Sequence, residues 1–182
     1  MELLGLLRQD GKLDRVLTVA QDVGPVPSSP GPATVAEYSF DDCPDLDVLV
    51  VPGGQGTRRE VYNEKLLQFL RNQYEKQSMQ HMFSVCTGAA LLAATGILNG
   101  CRATTNKISF DWVVSNDKSR RVIWINSNAR WVRHGRIITS AGVSAGMDAA
   151  LALISTTWGP QVAEDVARRA EYVWVSSGDE NT

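Results

Sequence analysis

Residues 81–98, HMFSVCTGAALLAATGIL, decide the fold class because two kinds of secondary structure meet there at a cysteine. The run from His81 to Val85 suits a β-strand, whereas the residues after Cys86 are strong helix formers. A strand that passes directly into a helix is one half of a βαβ unit, the connection that joins parallel strands. This stretch therefore indicates an α/β protein and places a thiol at the junction between a strand and a helix, an unusual position for a cysteine.

Strand-like and helix-like segments alternate along the rest of the chain. Apolar runs predict strands at 16–20, 46–51, 101–105, 121–125 and on both sides of a His-Gly turn within 129–142. Helix-forming segments occupy 60–77, 107–114, 144–159 and 160–174. The strands are continuous apolar runs, which is typical of a mostly parallel sheet buried on both faces. We predict a three-layer α/β sandwich with a flavodoxin-like sheet and a cysteine nucleophile elbow.

No repeat or linker divides the chain, so residues 1–175 are predicted to form one domain. The Pro- and Ser-rich stretch 24–34, GPVPSSPGPAT, predicts an irregular loop within it. The polar segment 176–182 is predicted to be a disordered tail.

Composition excludes several classes of protein. The 182 residues carry a net charge of −2 with no block of Lys or Arg, which argues against nucleic acid or a membrane surface as a partner. No apolar run approaches the ~18 residues of a membrane span. Three widely spaced cysteines, Cys43, Cys86 and Cys101, favour a reducing compartment, and so the cytoplasm, over a disulfide framework or a metal site. Cys43 and Cys101 are predicted to be packing or incidental thiols.

Cys86 is the strongest candidate for chemistry. A sharp strand-to-helix turn points a side chain out of the carboxyl edge of the sheet and strains its backbone. The helix that begins near Thr87 directs its N–H groups at the sulfur and favours the reactive thiolate. Gly88 leaves space around the turn. The alternative is an inert thiol in the core, but the order strand, Cys, Thr, Gly, helix favours a nucleophile.

A second loop, PGGQG at 52–56, follows a buried strand and is predicted to lie beside Cys86. We expect the N–H of Gly54, next to Gly53 in this turn, to face the sulfur and to stabilise negative charge together with the N–H of Thr87. The alternative is a plain strand-ending turn, for which glycine is also suited. A phosphate-binding loop is not indicated, since no Lys-Ser/Thr pair follows.

The remaining titratable candidates do not complete a catalytic pair. His81 lies five residues before Cys86 on the same predicted strand, which is about 16 Å away at the wrong end of the sheet. His134 lies in a predicted turn, so neither histidine is predicted to be a base for the thiol. Asp148 is placed in the first turn of a helix, where its charge would complement the helix dipole.

Three stretches together resemble the ThiJ/PfpI superfamily of the glutamine-amidotransferase-like class: DVLVVPGGQG (47–56), SVCTGAALLAATGILNGCRATTNK (84–107) and ITSAGVSAGMDAALAL (138–153). The isonitrile hydratase branch and its fungal relatives are the most similar. The resemblance implies a nucleophile at Cys86 followed by Thr87, and an oxyanion-binding turn at Gly53 and Gly54. It also implies a homodimer that acts on a small molecule without a metal or an organic cofactor.

The chain departs from this family at two places. The hydratases often read ATTHW where this chain reads ATTNK at 103–107, so that Asn106 stands at the histidine position. Family members begin with a strand and an Asp-x-x-Gly-Pro turn whose acid contacts the cysteine, while MELLGLL resembles the helix that follows. We expect that strand and its acid to be missing, and we do not expect Glu2 to replace the acid. Loss of the acid should raise the barrier of the reaction by about 3–5 kcal/mol.

Three functions remain open at this point. The first is an isonitrile hydratase-like enzyme that forms an N-substituted formamide through a cysteine thioimidate. The second is a glyoxalase- or deglycase-like enzyme in which the same cysteine attacks a reactive carbonyl. The third is a pseudoenzyme or ligand-binding module without catalysis, although no helix-turn-helix segment after residue 175 indicates a transcriptional regulator.

Overall fold

The computed structural model of the chain describes residues 2–28, 31–126, 129–176 and 179–181. The helices are α1 (Glu2–Gln9), α2 (Thr57–Glu60), α3 (Glu64–Glu75), α4 (Gly88–Thr95), α5 (Phe110–Val114), α6 (Val143–Trp158) and α7 (Pro160–Arg169). The strands are β1 (Gly24–Val26), β2 (Thr34–Ala36), β3 (Val48–Val51), β4 (His81–Val85), β5 (Arg102–Ala103), β6 (Ile123–Trp124), β7 (Trp131–His134), β8 (Ile137–Ser140) and β9 (Asp179–Asn181). Within these ranges, no helix combines the length and apolarity needed to cross a membrane.

The central sheet has the strand order β3-β4-β8-β7-β9. β3, β4 and β8 run parallel to one another, and β9 runs parallel to β7. β7 and β8 are antiparallel, because a tight turn at Gly135, with a φ of 57°, joins them as a hairpin. The prediction of an α/β fold with a mostly parallel sheet is confirmed.

The two central strands show why helices cover both faces of the sheet. Successive side chains of a strand point to opposite faces. Met82 on β4 and Ile137 on β8 join a core cluster formed with α3 and α4. Their neighbours Phe83 and Ile138 join a separate cluster formed with α6. A further cluster, which includes Leu7, holds α1 and α7 against the outer side of α6.

Two segments near the amino terminus differ from their prediction. Residues 16–20 do not form a regular strand, since a single bridge from Val19 to Tyr38 is their only strand-like pairing in the described ranges. The predicted irregular loop 24–34 begins and ends in β1 and β2, which form a short antiparallel pair. Residues 29–30 of that loop lie outside the described residues.

The carboxyl-terminal segment also differs from its prediction. Residues 176–182 were expected to be disordered, but Asp179–Asn181 form β9 and pair with β7. The unpaired backbone groups of a sheet edge are a ready template for one more strand, which explains this pairing. Residues 177–178 and 182 lie outside the described residues, and the extent of the domain over 1–175 stays a prediction.

Asp148 on α6 connects the residue before β7 with the segment that follows α7 through hydrogen bonds. Its carboxylate is fully buried and accepts hydrogen bonds from Arg130 Nε at 2.6 Å, from the Tyr172 hydroxyl at 3.0 Å and from the Val175 N–H at 3.0 Å. Its predicted place in the first turn of a helix is wrong, because α6 begins at Val143 and puts Asp148 in the second turn. Its partners are therefore these three donors rather than the helix dipole.

We expect Asp148→Asn to lower the free energy of unfolding by about 3 kcal/mol, because the amide leaves the Arg130 guanidinium without its buried counter-charge. Urea unfolding followed by circular dichroism measures the change. Asp165→Asn is the matched control, since Asp165 forms an exposed ion pair with Arg168 and should cost less than about 1 kcal/mol. Equal losses in the two variants would contradict this role of Asp148.

Candidate active site

Cys86 lies between the end of β4 and the start of α4, at the carboxyl edge of the three parallel strands. Its φ of 56° is in the left-handed region, which L-residues with a side chain rarely adopt. The Cys86 N–H donates to Ser140 O at 3.0 Å, and the Thr105 hydroxyl donates to Cys86 O at 2.8 Å. The predicted strand-to-helix junction and its strained backbone are confirmed, while the role as nucleophile stays a prediction.

Two of the predicted site positions must be glycine, because backbone atoms of a neighbouring segment lie where a side chain would begin. A Cβ added at Gly53 would lie 2.7 Å from Thr87 N and 2.7 Å from Val85 O. A Cβ added at Gly88 would lie 2.4 Å from Val51 O. Both distances are far below van der Waals contact, so a side chain at either position would push the 52–56 loop away from the cysteine turn. The structure thus brings this loop beside Cys86, as the sequence predicted.

Gly54 differs from its predicted role. Its N–H donates to Thr87 Oγ1 at 2.9 Å, and so it does not face the sulfur. The Thr57 hydroxyl completes this unit, since Thr57 Oγ1 lies 2.7 Å from Gly54 O and 3.1 Å from Thr87 Oγ1. The buried Thr87 side chain therefore locks the 52–56 loop to the start of α4. The Gly54 N–H is therefore not available to stabilise negative charge at the sulfur, and that role stays a prediction for the Thr87 N–H alone.

A cleft of about 590 Å³ opens beside the cysteine turn. Two of its walls continue from the residues that hold Cys86, because Asn106 follows Thr105 and Ala141 follows Ser140. Cys86 is not one of the described lining residues, so the cleft adjoins the turn rather than enclosing the sulfur. The described lining residues are Asn106, Lys107, Ile108, Asn126, Ala129, Arg130, Ala141, Gly142, Ser144 and Ala145.

Sequence reasoning missed most of this cleft. Asn106 was noted only as a departure from a family pattern, and Lys107 stood beside it in the same ATTNK stretch. Arg130 belongs to no motif, and Ser144 lies 14 residues later within the stretch 138–153, yet Arg130 Nη2 donates to Ser144 Oγ at 3.1 Å. The only available signal was proximity in sequence to segments that end at the carboxyl edge of the sheet.

Both histidines lie away from the cysteine, as predicted. His81 begins β4, so the full strand separates it from Cys86. His134 pairs with Ile137, which in turn pairs with Met82 next to His81. Burial, followed by the charge of a neighbouring arginine, lowers the pKa of His81, so it is neutral at physiological pH. Neither ring is placed to take a proton from the thiol.

The surroundings of the other two cysteines disfavour their thiolates. Cys101 is buried in the cluster under α3 and α4, and Cys43 is partly buried with its Sγ 3.4 Å from Pro44 O. Burial raises the pKa of both thiols. Cys86 is intermediate in exposure, as Cys43 is. Across the described ranges, no three His, Cys, Asp or Glu side chains are grouped closely enough to hold a metal ion.

Comparison with known proteins assigns the chain to a family. The sequence pattern of the DJ-1/PfpI family matches residues 3–156. The chain belongs to the DJ-1/PfpI family. The predicted resemblance to the ThiJ/PfpI superfamily is thereby confirmed.

Individual relatives agree with this assignment. The chain is 37% identical over 158 residues to isonitrile hydratase of Pseudomonas putida, an alignment that covers 87% of the chain and 66% of that protein. It is 27% identical over 121 residues to a Parkinson disease protein 7 homolog of Danio rerio, covering 66% of the chain and 60% of that relative. The chain therefore spans less than two thirds of the length of either curated relative.

A solved structure supports the same conclusion. The crystal structure of a ThiJ/PfpI family protein from Pseudomonas syringae superposes on the chain with a TM-score of 0.79 at 31% identity. The superposition covers 94% of this chain and 69% of that chain. The sheet order and the helix layers described above are therefore those of this family.

We expect Gly88→Ala to lower the free energy of unfolding by at least about 2 kcal/mol, because its new methyl group would overlap Val51 O. The same variant should slow alkylation of Cys86. Gly5→Ala on α1 is the matched control: a Cβ there meets nothing within 4 Å, and alanine should stabilise the helix by up to about 1 kcal/mol. Thermal unfolding that finds the two variants alike would refute the steric argument.

We expect iodoacetamide to modify Cys86 before Cys43 and Cys101, because burial keeps the last two thiols protonated. Peptide mass spectrometry of samples quenched over a time course measures the order. In urea the three cysteines should react at similar rates, which controls for intrinsic differences between peptides. Modification of Cys43 first in the folded protein would count against this assignment.

Proposed function

We propose that this protein is an isonitrile hydratase-like enzyme that converts an isonitrile and water into an N-substituted formamide. The observation that carries the proposal is the strained turn at Cys86 beside an open cleft of about 590 Å³. Such a turn presents a thiolate at the end of a sheet, where it meets a substrate without obstruction by its own strand. The 37% identity to a bacterial isonitrile hydratase supports isonitriles as the substrate class.

The first half of the reaction uses Cys86 as a nucleophile. The thiolate adds to the terminal carbon of R–N≡C and forms a C–S bond. That carbon then takes a proton, which gives the thioimidate Cys86–S–CH=N–R. We assign the Thr87 N–H, at the start of α4, to stabilising the negative charge that develops during addition.

The second half uses water. Water adds to the thioimidate carbon, and the nitrogen takes a proton, which gives a tetrahedral intermediate with one hydroxyl group. The C–S bond then breaks, the thiolate leaves with the bonding electron pair, and the hydroxyl proton is lost. The product is R–NH–CHO. The overall reaction consumes only the isonitrile and water, and it regenerates Cys86.

The position of the histidines favours this substrate class. A serine- or cysteine-protease mechanism needs an imidazole within hydrogen-bond reach of the nucleophile, and both His81 and His134 lie at the other end of β4. An isonitrile carbon accepts a thiolate directly and expels no amine that needs a general acid. The chain therefore lacks the imidazole that peptide hydrolysis requires but retains the proposed nucleophile for addition to an isonitrile.

Oligomeric state and compartment stay predictions. The family resemblance implies a homodimer, and the three dispersed cysteines imply a reducing compartment such as the cytoplasm. The expectation of a small-molecule substrate accords with the volume of the cleft.

We expect the protein to form N-cyclohexylformamide from cyclohexyl isonitrile, and Cys86→Ser to lower kcat/KM by at least about 10³-fold because the nucleophile is lost. Proton NMR of the formyl hydrogen follows the product. Cys43→Ser is the matched control and should retain full activity, since Cys43 lies away from the turn.

Two other outcomes would replace the proposal. Consumption of methylglyoxal that depends on Cys86, without any reaction of isonitriles, would indicate a glyoxalase- or deglycase-like enzyme. A folded protein that acts on neither compound would indicate a pseudoenzyme or a ligand-binding module.

A further inference from the structure

The cleft beside Cys86 has a cationic character. Two basic side chains, Lys107 and Arg130, line it, and none of its described lining residues is acidic. The other polar lining groups are neutral donors and acceptors: Asn106, Asn126 and Ser144. The arrangement lies outside the catalytic steps assigned above, which use Cys86 and the Thr87 amide alone.

Lys107 carries a charge that no carboxylate neutralises in the described part of the chain. Its Nζ donates to the buried Thr104 Oγ1 at 2.8 Å and to Ile125 O at 3.4 Å. The ring of Phe110 lies 5.9 Å from the same nitrogen. All three partners are uncharged, and partial burial lowers the pKa of the ammonium. A cation held on neutral groups at a cleft wall retains its attraction for an anion.

Arg130 is held in place by a different set of contacts. Its Nε donates to Asp148 at 2.6 Å, and its Nη2 donates to Ser144 Oγ at 3.1 Å. These bonds use two of the five N–H donors of a guanidinium. The side chain is 35% exposed and lines the cleft, and these two bonds hold it in a fixed position. A fixed fork of donors near an unneutralised ammonium is suited to a planar carboxylate.

Lys107 and Arg130 line a cleft whose walls continue from Thr105 and Ser140, the two residues that hold the Cys86 backbone. Lys107 stands two residues after Thr105, whose hydroxyl donates to Cys86 O at 2.8 Å. An anion bound in this cleft and a reactive carbon at the adjoining Cys86 turn can therefore belong to one small molecule.

We propose that the substrate bears a carboxylate, which Lys107 and Arg130 bind while the reactive carbon reaches Cys86. This inference rests on the proposed function and narrows it, from isonitriles in general to isonitriles that carry an acid group. The products are then N-formyl amino acids. The chemistry at the sulfur is unchanged, and the carboxylate serves to bind and orient the substrate.

The kinetic test compares isocyanoacetate with its ethyl ester, which lacks the negative charge. We expect the protein to prefer the acid by at least about tenfold in kcat/KM, and Lys107→Met to lower this acid-to-ester ratio by about tenfold. Lys65→Met, which removes an exposed lysine on α3 outside the cleft, should leave the ratio unchanged. An equal preference for acid and ester, or a ratio that Lys107→Met leaves unchanged, would overturn the inference.

A binding test separates this inference from the reaction itself. In Cys86→Ser protein, NMR titration should show that N-formylglycine binds at least about tenfold more tightly than N-formylglycinamide. Added sodium chloride should weaken the binding of N-formylglycine but not that of the amide, because salt screens a partly exposed charge. Lys107→Met should abolish the difference in affinity between the two compounds. Retained acid binding without isonitrile turnover would reject the proposed function alone, whereas equal binding of acid and amide would reject the carboxylate site.

Discussion

The backbone of Cys86 is the constraint on which the rest of the structure depends. A φ of 56° costs an L-residue on the order of 1–3 kcal/mol and persists only where its surroundings hold it. Here the Cys86 N–H is held by Ser140, and its carbonyl is held by Thr105. Gly53 and Gly88 allow the neighbouring loop and helix to approach so closely that the turn has no room to relax. The strain is therefore maintained by β8, by the segment that follows β5, by the 52–56 loop and by α4 together.

The segments that hold the turn also build the cleft. Thr105 is followed by Asn106 and Lys107, and Ser140 is followed by Ala141, so the backbone that holds the Cys86 turn also carries residues that line the cleft. Arg130 lies just before β7, whose first residue pairs with Ser140, and it is anchored by a buried carboxylate on α6. The proposed nucleophile and the proposed carboxylate site are consequently joined by short stretches of chain.

Local features of the sequence predicted the fold and the cysteine turn well, because β4, the turn and α4 are adjacent in the chain. The sequence predicted individual contacts less well where a group bonds a partner that is far away in the chain. Gly54 was expected to face the sulfur, but its amide bonds the Thr87 hydroxyl, 33 residues away. The cleft was missed because Lys107 and Arg130 converge only after folding. β9 was missed because pairing with an open sheet edge leaves no mark in a polar segment.

Trapping the covalent intermediate tests the role of Cys86 most directly. The protein is mixed with an isonitrile, quenched in acid within one turnover, and analysed by intact and peptide mass spectrometry. Addition predicts a mass increase equal to that of the whole isonitrile, located on the peptide that contains Cys86, and its loss at the rate at which the formamide appears. An adduct on Cys43 or Cys101 instead, or formamide made at an undiminished rate by Cys86→Ser protein, would contradict a thioimidate at this cysteine.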